Sequence, residues 1–484
     1  METSTEKKPE VATEGHHTSL PRSLGVLSAI AILVGSTIGT GIFRSPAGIA
    51  TKVPFEELYL LLWVLGGFFS LCGALTLAEL AGALPHTGGV FVYLREGFGR
   101  LPAFLFGWSE LVIIRASALG AISTAFAEYF LRLLGKSDPE AVHYVAAAAI
   151  LIVAIFNILG VKLGALVQNV TTVTKYGALV LLVLAAFLIG ASRPAPVPAE
   201  QVQVAASPSM VMFGLAFISL LWAYDGWADV TFISGEVKRP GRNLPLTLIA
   251  GTLAVIAIYL LANLAYLHLL DINQIANSKL VAADAAYRIM GNVGANLVSM
   301  AVMISAFGTL NGSMMTGPRI FFAMADDGLF FKKIASVHPR FKTPYVAISL
   351  AASLAIIFVM VRTFEQLSDT FVLAIWPFYA LGVAAVYTLR RKRPDLPRPY
   401  KTLGYPITPA LFIIAVLLLI GNALFGDIRY YAARFSGGPN PHEWSGALLV
   451  FAIVLAGIPA YYIWKATHAG NVERETMSDD RRGH

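Results

Sequence analysis

Charge is scarce in this sequence. Of 484 residues only 13% are Asp, Glu, Lys or Arg, roughly half the share found in soluble domains. Hydrophobic residues make up 56%, and mean hydropathy is +0.67. So few charges cannot cover the surface of a soluble chain this long, which excludes a water-soluble enzyme, a disordered chain and a nucleic-acid binder. Cysteine is scarcer still. Cys72 stands alone, so an intramolecular disulfide and a cysteine-based metal or redox motif are both excluded. The chain also lacks a phosphate-binding glycine loop and a His-Glu-x-x-His pattern, and His16, His17 and His268 are too scattered to form a metal cluster. It is read as a non-enzyme with no catalytic residue, no metal and no cofactor. A cleavable leader is not expected either: the first residues are polar up to Pro21, and the apolar run that follows is too long for a signal sequence.

Long apolar runs are what the chain has in abundance. Stretches able to cross about 30 Å of hydrocarbon recur near 24–50, 57–83, 102–132, 142–160, 166–190, 210–235, 246–270, 293–324, 345–361, 367–389, 406–425 and 446–464. Twelve spans place both termini on one side. Of the 36 Lys and Arg residues, 23 fall in the tails and in the loops on that same side, so the positive-inside rule makes it cytoplasmic. The excess of basic residues, net +7, is thereby a topology signal and not the footprint of a nucleic acid. The run Arg390–Arg393 fits that signal and also fits contact with anionic lipid.

Two spans are interrupted. Span one carries Gly35-Ser36-Thr37-Ile38-Gly39-Thr40-Gly41, and span six carries Tyr224-Asp225-Gly226-Trp227-Ala228-Asp229. Backbone within lipid must be paired, so such interruptions imply unwound chain lining a cavity. Breaks five spans apart lie in two oppositely oriented halves, the pattern of a secondary transporter with its site at the midplane. The break in span one frees the amides near Thr40, Gly41 and Ile42, which with the helix dipole suit a carboxylate. Carbonyls near Thr37, and near Trp222, Ala223 and Tyr224, suit an ammonium. Together they describe an α-amino acid, with Ser36, Thr37, Ile38, Gly39, Thr40, Gly41, Trp222, Ala223, Tyr224 and Asp225 as the candidate substrate-binding residues. The alternative for the glycines is a small-residue packing face.

Ionisable residues within spans are costly and mark function by default. Lys175, ten residues into span five, lies about 15 Å deep. It is open to three roles: a fixed charge where other transporters bind a cation, a proton carrier, or one half of a static ion pair. Asp225 either faces an ammonium or caps broken backbone, and Trp222 is either a lid over the substrate, acting as a gate, or ordinary packing. Asn311, Ser313 and Trp376 are weaker candidates for the side-chain pocket. Glu79, Glu110 and Arg115 read as scaffold, and Arg319, Asp326 and Asp327 as anchors of an inner gate.

Several segments carry a family resemblance: Gly35–Phe43, Pro85-His86-Thr87-Gly88-Gly89, Leu101-Pro102-Ala103-Phe104, Ile113-Ile114-Arg115, Trp222–Trp227, Arg242-Asn243-Leu244-Pro245 and Phe307–Arg319. In this order and spacing the chain resembles the amino acid–polyamine–organocation (APC) transporters, specifically the L-type branch. That resemblance implies a LeuT-type, all-α fold of five-plus-five inverted repeats with helices one and six broken and two helices added. It implies carboxylate binding by backbone at Gly39, Thr40 and Gly41, and ammonium binding near Thr37, Trp222 and Asp225. Trp222 matches the family's aromatic gate, and Lys175 the lysine at the sodium position of sodium-independent members. The loop Gly135–Glu140 lacks the cysteine by which light chains link a heavy subunit, so the chain resembles stand-alone bacterial members with no disulfide-linked partner. Asp225 stands where several eukaryotic members have Gly, which opens the question of cationic substrates.

The expected layout is a cytoplasmic tail (1–22), a first repeat (23–195), a second, inverted repeat (205–393), two further helices (404–466) and a second cytoplasmic tail (467–484). The expected function is sodium-independent exchange of neutral L-amino acids across the cytoplasmic membrane by alternating access. The alternatives are a proton-coupled symporter using Lys175 and, more remotely, an amino acid sensor without turnover. An ion channel would show a carbonyl filter or rings of like charge, and neither is present in the sequence.

Overall fold

The computed structural model describes residues 22, 24–86, 88–136, 138–160, 163–194, 209–326, 328–329, 333–334, 336–341, 343–436 and 445–480. The N-terminal tail up to Pro21, Thr87 and Asp327 fall outside these, as do the side chains of Arg319 and Asp326 and of the tail from 467.

Apolar runs bordered by turn residues fold into helices that pair their own backbone. The first expected span is two helices, α1 (Val26–Thr37) and α2 (Gly41–Lys52), followed by α3 (Glu56–Ala83). A short α4 (Val90–Phe98) leads to α5 (Arg100–Ser109), which passes through a π-helical turn at Glu110–Ile114 into α6 (Arg115–Leu133). Next come α7 (Pro139–Ile158) and α8 (Leu163–Leu188). The second half has α9 (Met210–Tyr224), the single turn α10 (Asp229–Phe232), α11 (Pro240–Leu269), the short α12 (Ile272–Ala276), α13 (Val281–Asp326), α14 (Tyr345–Val361) and α15 (Phe364–Lys392). The chain closes with α16 (Ile407–Phe435) and α17 (Ala447–Asp480).

Helix starts are set by side chains that satisfy the first free amides. Asp138, before Pro139, accepts from the Glu140 amide at 3.0 Å, and Ser209 accepts from Met212 at 3.1 Å. Thr363 and Gln366 form a reciprocal capping box. α13 is interrupted at Gly291, where φ is 65° and only glycine is comfortable.

Among the described residues nine helical segments are long and apolar enough to cross a membrane. Three shorter apolar helices, Thr174–Leu188, Met210–Tyr224 and Tyr345–Val361, lie at the fifth, sixth and ninth expected spans. Most boundaries agree within a few residues, but α11 starts six residues before the expected 246, α13 starts twelve before the expected 293, α17 runs sixteen past the expected 464, and α16 runs ten past the expected 425. The extension is held by Asp427, fully buried, which accepts from the Ser445 amide and hydroxyl, both at 2.8 Å, and from the Leu448 amide at 3.1 Å. An apolarity window misses a helix end of this kind.

The two broken helices sit between two packed groups. On one side α3 and α1 lie on α11, and α2 lies on α9; on the other, α6 packs on α7, α13 and α14. α15 touches both groups through α6 and α9, and α8 lies across α11 and α13. α16 covers α3 and α9, and α17 covers α5, so the last two helices stand outside this arrangement.

Candidate functional site

α1 stops at Thr37. Ile38 leaves helical geometry (ψ 80°), and α2 starts at Gly41. Gly39 donates to the Thr37 carbonyl at 2.8 Å, and Phe43 to Thr40 at 3.2 Å. The amides of Thr40, Gly41 and Ile42 have no backbone partner among the described residues. The Thr40 hydroxyl, on a residue 2% exposed, has none either.

α9 stops at Tyr224. Asp225 is extended (φ −68°, ψ 157°), Gly226 is left-handed (φ 109°), and α10 resumes at Asp229. Two glycines let the breaks touch. A Cβ on Gly41 would stand 2.5 Å from Ala223 Cα, and a Cβ on Gly226 would stand 2.8 Å from the Ser36 carbonyl carbon and the Thr37 nitrogen. Nothing larger than hydrogen fits at either point, so the two interruptions form one continuous unwound patch.

Tyr259 of α11 joins the two breaks. Its fully buried hydroxyl lies 2.8 Å from the Thr37 carbonyl and 2.9 Å from that of Ala223. The two carbonyls assigned to an ammonium from sequence are therefore already in contact with a donor. Sequence reasoning missed Tyr259, because a tyrosine midway along an apolar helix carries no local mark of where its hydroxyl points.

Lys175 is 1% exposed, and its ammonium donates to the Gly35 carbonyl at 2.5 Å, in the last turn of α1. Among the described residues it pairs with a carbonyl and with no carboxylate.

Trp222 and Tyr224 diverge, as two residues 200° apart on a helix must. The Trp222 ring meets Phe371 and Phe364 edge-on, with centroids 5.0 and 6.2 Å away. Tyr224 turns into the scaffold: its hydroxyl donates to the Trp63 carbonyl at 2.9 Å, and its ring lies against Trp63 and Tyr259.

Beneath the second break a polar group converges. Asp225 lies near Asp229, Tyr379, Glu110 and Arg115, and Asp229 lies near Ser36. Glu110 pairs with Arg115 at 3.0 Å, and Arg115 also donates to Ser313 at 2.9 Å, fitting against Gly317 where a Cβ would collide with its Nε. One Asp225 oxygen and the Tyr379 hydroxyl lie against each other, and neither has a further hydrogen-bond partner among the described residues.

The weaker pocket candidates sort by helix face. Asn311 accepts from Asn157 of α7 at 2.9 Å, pointing away from the break. Ser313 is taken by Arg115. On α13 the residue facing the break is Thr309, whose methyl would lie 3.7 Å from a Cβ on Gly39. Trp376 stacks on Phe412 of α16, centroids 5.5 Å apart, and beside Tyr379.

The two ends of this patch are closed in different ways. At one end Arg44 of α2 donates to Glu128 of α6 at 2.8 Å and pairs with Glu365 of α15 at 2.7 Å, its guanidinium 5.1 Å from the centre of the Phe364 ring. At the other, Leu24 donates to the Glu236 carbonyl at 3.0 Å and accepts from the Lys238 amide at 2.8 Å, and the Gly88 amide donates to Phe232 at 3.2 Å. No three His, Cys, Asp or Glu side chains converge on a metal position among the described residues. Among the described residues the joined breaks offer unpartnered amides as donors and carbonyls as acceptors.

Comparison with known proteins agrees with that geometry. Residues 24–458 match the model of the amino acid permease family. The serine/threonine exchanger SteT of Bacillus subtilis is 32% identical over 453 residues, 93% of this chain and 98% of that protein. The human b(0,+)-type amino acid transporter 1 is 31% identical over 421 residues (86% of this chain, 85% of that one). The human cystine/glutamate transporter is 31% identical over 451 residues (92% and 85%).

Proposed function

Because this chain belongs to the amino acid permease family, a family of membrane transporters with the LeuT-type fold, we propose that its paired helix breaks carry neutral L-amino acids by sodium-independent exchange. It is an amino acid transporter of twelve spans, and its similarity to named exchangers supports antiport.

The observation that carries the site assignment is the contact of the two breaks at Gly41–Ala223 and Gly226–Ser36 beside three unpartnered amides. The amides of Thr40, Gly41 and Ile42 hold the substrate carboxylate at the start of α2, where the dipole adds about 0.3–2 kcal/mol. The carbonyls of Thr37 and Ala223 accept from the ammonium, which takes over the position of the Tyr259 proton. Trp222 covers the bound molecule. Lys175, on the Gly35 carbonyl, is a fixed cation tying α8 to the end of α1, and a built-in charge there removes the need for sodium. No residue acts catalytically and no cofactor takes part.

Both termini are placed in the cytoplasm and the protein in the cell membrane, which makes the Arg44 end outer and the Leu24 end inner. Residues 23–195 and 205–393 are the two inverted repeats. The chain works without a disulfide-linked heavy subunit, as the loop 135–140 has no cysteine and Cys72 is buried in α3.

The serine/threonine name of the Bacillus relative favours small side chains here. A second reading, a cationic substrate, is favoured by the carboxylate of Asp225 within the second break, which has the Tyr379 hydroxyl beside it and Asp229 and Glu110 nearby. Purified protein in liposomes decides between them. Labelled serine, leucine or arginine is added outside, without sodium and at equal pH, with and without unlabelled amino acid inside. Uptake that needs internal amino acid and is strongest for serine is the expected result. Preference for arginine replaces the neutral reading. Flux only under a proton gradient turns Lys175 into a carrier and the protein into a symporter, and no flux from folded protein defeats transport at this site.

A further inference from the structure

Most of the arginines clustered on the inner face are engaged. Arg390 donates to both Glu79 oxygens at 2.9 and 2.6 Å, Arg398 lies 3.4 Å from the same carboxylate, and Arg393 pairs with Glu96 at 3.1 Å. Arg398 also donates to the carbonyls of Leu389, Arg393 and Leu396. The basic run that looks like a lipid contact in sequence is thus largely an internal clamp, folding the segment after α15 back over α3.

Among the arginines left over on this face, which include Arg391, two stand together. Arg239 and Arg242, at the start of α11, have no carboxylate partner among the described residues, and both side chains are exposed. They rim a cavity of about 540 Å³ whose other walls include Pro245, Pro399 and Tyr400. The arrangement is electrostatically uphill. Lys238, Arg239 and Arg242 crowd the positive end of a 30-residue helix that has no acidic residue in its first turn, where a negative group is normally favoured. Arg239 moreover holds a left-handed backbone (φ 46°), costly for a residue with a Cβ. A bound anion removes the repulsion and makes use of both guanidiniums, which match phosphate oxygens in pairs.

Depth identifies the source of the anion. Thirty helical residues span about 45 Å against about 30 Å of hydrocarbon, so the first turn of α11 reaches the headgroup layer. The proline-walled floor between two charged rims suits a phosphate that carries an apolar tail. We propose that this cavity binds the phosphate of an anionic phospholipid headgroup, with Arg239 and Arg242 as its ligands and Tyr400 at its wall. Such a site lies away from the helix breaks and is independent of which amino acid is carried.

The test uses the full-length protein in neutral detergent, with melting temperature followed as short-chain phosphatidylglycerol, phosphatidylcholine or inorganic phosphate is titrated. Phosphatidylglycerol is expected to raise the melting temperature saturably and phosphatidylcholine to leave it unchanged. In the double variant Arg239→Asn/Arg242→Gln, where Asn tolerates the left-handed backbone, the apparent affinity for phosphatidylglycerol falls about tenfold or more. Arg391→Gln, an exposed arginine outside the cavity wall, keeps the wild-type response. Equal weakening in Arg391→Gln reduces the effect to bulk charge, and an unchanged double variant removes the site. A response to inorganic phosphate matching that to phosphatidylglycerol assigns the cavity to a free anion and overturns the lipid. The double variant's melting temperature without lipid reports whether it has folded, and since no transport is measured, a failure here is separate from a failure of the exchange assay.

Discussion

The two ends of the unwound patch are shut by different materials. The Arg44 end is held by charged side chains: Arg44 between Glu128 and Glu365, and, alongside, Lys52 at 3.4 Å from Ser219, whose hydroxyl donates to Asp369 at 3.1 Å. Helices α2, α6, α9 and α15 meet there through charged side chains and the Ser219 hydroxyl. The Leu24 end is held by main chain: the Leu24 bridge to Glu236 and Lys238, and Gly88 on Phe232. Buried ion pairs are strong only while complete and fail abruptly when one member goes. Backbone pairs tolerate most side-chain changes but demand a fixed chain path. The Arg44 end is thus a switch set by composition, and the Leu24 end a seam set by geometry.

Four substitutions sharpen that contrast. Arg44→Leu, at a side chain 8% exposed, strands Glu128, itself only 16% exposed. It is expected to cost about 3–5 kcal/mol in thermal or denaturant unfolding, while Glu365→Gln, at a 38% exposed carboxylate, costs about 1 kcal/mol or less. Equal losses from the two would show that the triad does not act through burial of Arg44. At the midpoint between the ends, Tyr259→Phe removes the hydroxyl that contacts both breaks. Exchange is expected to fall about tenfold, corresponding to about 1–1.5 kcal/mol for one buried hydrogen bond, with melting little changed. An unaltered rate would mean that the hydroxyl is a bystander. Leu24→Ala leaves both main-chain bonds in place and is expected to shift stability by about 0.5 kcal/mol or less. A drop of the size seen for Arg44→Leu would place the strength of the seam in side chains after all.

The sequence is a good guide where a property is local. Hydropathy located the spans because lipid imposes one requirement on every residue in them. The breaks were visible because Gly35-Ser36 and Asp225-Gly226 interrupt otherwise apolar helices. Lys175 stood out for the same reason, and the structure supplies its partner, the Gly35 carbonyl. What stayed hidden depends on rotation and on distant chain. Tyr224 adjoins the break yet points to Trp63, whereas Tyr259, 35 residues further on, reaches both breaks. Asn311 was the polar residue to notice on α13, but one face round, Thr309 is the neighbour of Gly39. Gly41 reads as a place where backbone can approach a carboxylate or pack closely, and Gly226 as part of the second break; their contacts show that each lets one break touch the other.

Cys72, 4% exposed within α3, gives the experimenter a silent background. Aqueous maleimides have little to find on the native chain, so a thiol introduced at the Arg44 end and another at the Leu24 end become the two legible marks on the molecule. Paired spin labels or fluorophores there would turn the alternation of the two ends into a ruler reading, taken on a protein whose one native thiol is buried.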